Sequence, residues 1–147
     1  MRLSEHEIAI VRQSFRDAMA LRERFQLDFY EAFFRRAPET RQMFRHDISG
    51  QGMRFMTTMQ TIVNNVGAAD LPKKLADLGH AHAALGVHVE HFAPMGEALV
   101  ETLARTLGEN YREEIGDAWR KAFDEIAQAM IVAGGMDRAG TGRTGVS

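Results

Sequence analysis

Cysteine is absent from the 147 residues, which removes disulfides, thiol catalysis, zinc–thiolate sites and iron–sulfur ligation together. A chain without thiols suits a reducing compartment, and a cytoplasmic location is expected. An excess of charge of one sign is missing too: 18 Lys and Arg stand against 20 Asp and Glu. No basic face follows, so nucleic acid is not an expected partner. Nothing approaches the roughly 20 apolar residues of a membrane span. The first seven residues, with Arg2, Glu5, His6 and Glu7, hold no apolar leader core. Strand-like alternation and internal repeats are lacking as well.

What remains is helical. With 45% hydrophobic residues the chain can bury a core as one domain without staples. Ser4-Glu5-His6-Glu7 is a capping box that opens a helix with the stripe Ile8, Val11, Phe15, Ala18 and Met19. A second helix runs from about Leu21 to Arg36, with Phe25, Phe29 and Phe33 at steps of four and Tyr30 one position round. Ala37-Pro38 ends it, because proline bars its predecessor from helical geometry, and Pro38–Phe44 reads as a short helix.

Residues 45–50 read as a loop. A broad stripe over 51–66, through Phe55, Met59, Ile62 and Val66, predicts a third helix ended by Gly67, with Asp70 able to cap the next. Two long helices close the order: Phe92, Met95, Leu99, Leu103 and Leu107, stopped by Gly108, then Ile115, Trp119, Ala122, Ile126 and Met130. The domain is expected over 1–133, and 134–147 as a glycine-rich, disordered tail. Nine methionines and nine phenylalanines are large apolar residues; core filling explains most, although methionine also adapts to irregular surfaces such as a flat prosthetic group.

The stretch Leu75–Phe92 stands apart. At 3.6 residues per turn Leu75, Leu78, His82 and Leu85 form one stripe, whereas His80 shares its face with Ala76, Asp77, Ala83 and Ala84. Gly86 is suited to a left-handed stop. A histidine on an apolar stripe has two readings: a core residue with its ring nitrogens satisfied by backbone or water, or a ligand. An all-α domain with one such histidine ahead of two long helices raises haem ligation, which needs a neutral imidazole, apolar walls and a cation near the carboxylate edge.

Six segments carry a family resemblance: 28–34 (DFYEAFF), 37–44 (APETRQMF), 51–56 (QGMRFM), 82–87 (HAALGV), 96–99 (GEAL) and 118–123 (AWRKAF). Over residues 3–133 the chain resembles bacterial single-domain globins and is similar to the globin part of flavohaemoglobins. The resemblance implies a three-over-three helical sandwich around haem b, with His82 as the proximal iron ligand and Phe44 packed on the haem face. It makes Tyr30 and Gln51 the distal polar pair and Phe55 the distal apolar residue. Leu78, Val87, Phe92 and Met95 would line the proximal side and floor, and Arg54 would meet a propionate. For Gln51 and Arg54 a solvated surface position is the other reading.

The chemistry accounts for those types. A bound dioxygen carries partial negative charge, and a phenol O–H and an amide N–H in a dry pocket hold it by hydrogen bonds stronger than in water. Phe92 and Gly134 fall where flavohaemoglobins carry a tyrosine and a glutamate around the axial histidine. Without that hydroxyl and carboxylate the push of electrons to iron is weaker, which argues against O–O activation as the main task. Phe55 stands where leucine is more frequent in the family, so ligand entry differs. His46, His88 and His91 are expected to be solvated.

The resemblance therefore implies a haem protein that reversibly binds dioxygen and other diatomic gases (NO, CO), as a carrier, store or scavenger, monomeric or homodimeric, away from membranes. Nitric oxide dioxygenase is the enzymatic alternative; it needs a separate reductase, since no flavin or nicotinamide domain is expected in this chain. Haem-based gas sensing, read by a partner, is a third class.

Overall fold

Capping signals and apolar stripes are realised as helices. The computed structural model describes residues 3–44, 58–84 and 89–135, the side chains at 42–44, 72 and 81–84 excepted. Helix α1 spans Glu5–Met19 and α2 spans Arg22–Arg36. A 3-10 turn, Pro38–Phe44, follows. Helix α3 is described over 58–65, α4 over Leu71–Lys74 and α5 over Ala76–Ala84. A 3-10 turn at Val89–His91 leads into α6, Phe92–Leu107, and α7 covers Glu113–Gly134. There is no strand among the described residues.

The cap of α1 is reciprocal. The Ser4 hydroxyl accepts from the Glu7 N–H at 3.1 Å, and the Glu7 carboxylate accepts from the Ser4 N–H at 2.8 Å. Two orphan donors are satisfied at once. Val11, Phe15 and Ala18 are fully buried along the expected stripe, with Ile8 and Met19 partly so. On α2, Phe25, Phe29 and Phe33 are buried. Ala37 leaves helical geometry at φ −137° as the proline rule requires. Each large side chain taken from water in this way contributes about 1.5–3 kcal/mol.

Helix α6 is central: it packs on α2, α7 and α1, while α5 packs on α7. Two glycines set how closely these helices approach. A Cβ at Gly96 would stand 2.8 Å from the Phe123 ring, and one at Gly79 2.7 Å from the Met130 carbonyl oxygen. Pro94 sits in the first turn of α6, where a missing N–H costs nothing. The expected stops at Gly67 and Gly108 are present, with φ +88° and +54°.

Two expectations are corrected. The segment from Asp70 is not one helix: α4 and α5 are separated at Leu75, whose buried side chain is drawn into the core. Backbone bonds from Leu75 to Leu71 (3.0 Å) and from Gly79 to Leu75 (2.8 Å) run through the junction, which makes it a kink. Asp70 stands directly before α4, its carbonyl accepting from the Lys74 N–H at 3.1 Å and its carboxylate 3.7 Å from Lys74 Nζ. His91, expected in solvent, is buried at the entrance to α6, 3.5 Å from Glu39. Its place at a helix start suggested exposure, and Glu39 of the turn after α2 stands beside it.

Helix α7 ends at Gly134, and Gly135 takes φ +60° and returns its N–H to the Ile131 and Val132 carbonyls. The expected tail beyond Gly135, the loop 45–50, the start of the third helix at Gln51 and the stop at Gly86 lie outside the described residues.

Candidate functional site

Tyr30 stands on the inner face of α2 and is buried, 6% exposed. Its ring lies nearly parallel to Phe34, one helical turn on, with centroids 5.9 Å apart and planes 11° apart. Phe29 meets it at 5.7 Å with a tilt of 59°. The helix thus carries a phenol into an aromatic wall, because residues four apart share a face. On the outer side of Phe34 the Arg41 guanidinium lies 5.2 Å from the ring centroid.

Leu75 and helix α5 together carry positions 75–84. Leu75 is buried, Leu78 half-buried and His80 exposed, which is the division expected from the helical period. Position 82 falls on the backbone stripe of Leu75 and Leu78. The His82 side chain lies outside the described residues, as does that of Phe44, which ends the turn Pro38–Phe44. Gln51, Arg54, Phe55 and Val87 lie outside the described residues altogether. Phe92 is buried at the start of α6, 6.4 Å from the Phe123 ring. Met95, one turn later, is half-buried against the core.

The supports of these elements come from far along the chain. Arg12 donates from α1 to the carbonyls of Val63 (3.2 Å), Asn64 (3.0 Å) and Val66 (3.4 Å), which caps the end of α3. Trp119 donates its indole N–H to the Ser14 hydroxyl at 2.7 Å inside the core. Arg35 and Arg36 of α2 both bind Glu101 of α6. Burial pushes the Glu101 carboxyl up, but the hydrogen bonds from Arg36 and Arg35 outweigh it and hold the group below its usual range. Glu7 is also held low, by the Ser4 N–H and then by Lys121 at 3.0 Å. Ser14 sits on the α1 stripe between Val11 and Phe15, a polar residue in an apolar row; that signal was legible. For Arg12 there was none.

The described side chains have the chemistry that a flat apolar prosthetic group needs. Leu78 and Met95 keep part of their surface open although they pack on the core, and Tyr30 brings one hydroxyl to an otherwise aromatic stretch of α2. Apolar surface of this kind gains from being covered. Among the described residues no helix is long and apolar enough to cross a membrane.

An all-α domain with these helices and this interior belongs to a class defined by sequence as well. The Globin family model matches residues 27–130, and the chain belongs to the globin family. A flavohemoprotein of Deinococcus radiodurans is 29% identical over 148 residues, 97% of this chain and 37% of that protein. The leghemoglobin of Canavalia lineata is 28% identical over 118 residues, 73% of this chain and 79% of its own length. A crystal structure from Pseudomonas aeruginosa, described as structurally highly homologous to a human hemoglobin, superposes with a TM-score of 0.76 at 26% identity. It covers 86% of this chain and 97% of that one. The chain spans about a third of the flavohemoproteins it matches, 37% of one and 28% of another. The fold is therefore the all-α globin fold, and the relatives carry the names of haem proteins.

Proposed function

We infer that this globin holds haem b through His82 and reversibly binds dioxygen and other diatomic gases, for storage, delivery or scavenging of oxygen. Ferrous haem, when bound, supplies the iron at which such gases are taken up. His82 offers a neutral imidazole from the α5 side. Phe44, Leu78, Val87, Phe92 and Met95 offer apolar walls, and Arg54 a cation for a propionate. Tyr30 and Gln51 present an O–H and an N–H donor to a polarised ligand, and Phe55 limits the space beside them. The observation that carries the reading is Tyr30, a phenol buried in the aromatic wall of α2 in a member of the globin family.

Absorption spectra of the ferric, ferrous and oxygenated forms test it. A Soret band lost or displaced in His82→Ala and kept in His80→Ala, whose position is exposed, supports the assignment. Tyr30→Phe should release dioxygen at least tenfold faster, the loss of about 1.4 kcal/mol of hydrogen bonding. An unchanged Soret band in His82→Ala overturns it.

The match to flavohemoproteins favours nitric oxide dioxygenase as a second reading, with a separate reductase restoring ferrous iron. Sustained turnover with such a reductase, lost in Tyr30→Phe, supports the enzyme; a single turnover supports a carrier.

A further inference from the structure

The geometry points to Phe34 and Arg41 as positioning residues that fix the direction of the Tyr30 hydroxyl and thereby set how fast a gas ligand leaves. This rests on the distal role given to Tyr30 above. The three side chains form a column from solvent to the interior. Arg41 is exposed, its guanidinium 5.2 Å from the Phe34 centroid, and Phe34 lies at 11° to the Tyr30 ring. Such an arrangement is favourable at both joints: a cation lies over an aromatic face, and two rings stack in parallel with an offset.

A tyrosine hydroxyl lies on the long axis of its ring, so any rotation about the Cα–Cβ bond sweeps the oxygen sideways. Hydrogen bonds tolerate little of this, weakening steeply once the donor angle falls below about 120°. Phe29 touches the Tyr30 ring at a tilt of 59° and Phe34 lies nearly parallel to it, so two rings restrict its motion. Phe34 in turn rests in the rim of the core, 9% exposed. Arg41 adds a cover to Phe34 from the turn Pro38–Phe44, so that an exposed guanidinium two side chains away bears on the aim of a buried donor.

The chain contains two tyrosines, which simplifies the readout. With labelled tyrosine, the Tyr30 resonances identified by their loss in Tyr30→Phe should show side-chain scalar couplings of a single rotamer about the Cα–Cβ bond, in the haem-free and the haem-loaded protein alike. Phe34→Leu should average them, and Arg41→Gln should shift them part of the way. Arg41→Lys, which keeps a cation over the ring, should retain most of the restraint. In the loaded protein Phe34→Leu should speed dioxygen release about fivefold and Arg41→Gln about twofold. Association should change by less than twofold, and the double variant Phe34→Leu/Tyr30→Phe should release no faster than Tyr30→Phe alone.

Faster release in Tyr30→Phe with an unaltered Tyr30 rotamer about Cα–Cβ, or unaltered release, in Phe34→Leu overturns the positioning role and leaves the distal reading standing. Unaltered release in Tyr30→Phe overturns both. Arg41→Gln, at an exposed position, keeps the test sound should Phe34→Leu fail to fold; an unchanged Tyr30 rotamer and release in that variant removes Arg41 from the column.

Discussion

Gly79 and Met130 meet where α5 crosses α7, so closely that a Cβ on the glycine would stand 2.7 Å from the Met130 carbonyl oxygen and 3.1 Å from the Ala133 Cβ. The obstacle is backbone, which cannot swing aside. Gly79→Ala is therefore expected to push α5 away from α7 and to cost about 1–3 kcal/mol. Because α5 carries position 82, the same change should speed haem loss to an acceptor apoglobin. Urea melts and haem-transfer rates measure the two effects, and an unshifted melt would mean that the helices separate without strain.

Trp119 and Ser14 offer a test of the core. Ser14→Ala leaves the buried indole N–H without its 2.7 Å acceptor, at a cost of about 1–3 kcal/mol. Adding Trp119→Phe removes the orphaned donor, so this second change should cost less in the Ser14→Ala background than in the parent. A double-mutant cycle by denaturant unfolding reads the difference.

The Arg35–Glu101–Arg36 group predicts an acid dependence. The folded Glu101 carboxyl ionises below its usual value. Its contribution to stability is complete above the unfolded carboxylate value and disappears as pH falls through the lowered folded one. Glu101→Gln should lose about 1 kcal/mol or less near neutrality and show a flatter acid limb than the parent. Unfolding free energies at neutral pH and at successively lower pH values check both.

Gly67 closes α3 with φ +88°. Gly67→Ala should destabilise the protein by about 1–2 kcal/mol through backbone strain alone, read as a lower melting temperature. The Ile8 side chain faces the new methyl group but ends in a flexible carbon that can turn away.

The helices were legible because their signals are local. The capping box at Ser4, the stripes of α1, α2, α6 and α7, and the glycine stops all lie within a few residues of what they govern. Of the candidate site, the split between Leu78 and His80 followed from the same period, whereas Tyr30, one position off the Phe25, Phe29 and Phe33 stripe, was singled out by the family resemblance alone. Other features needed partners remote in sequence: Arg12 on the end of α3, Glu39 beside His91, and the close passage of Gly79 past Met130. The kink at Leu75 was hidden for a different reason, since the apolar period passes through it unbroken.

Lys121 reaches back 114 residues to Glu7, and Trp119 reaches back 105 to Ser14. Helix α1 thus meets α7 only after more than a hundred further residues have been made. At a ribosomal rate of about 5–20 residues per second, Val11 and Phe15 stay uncovered for roughly 5–20 s of synthesis. That interval is long against the microseconds in which helices form. The nascent α1 therefore carries an apolar stripe that waits for α7 to be made.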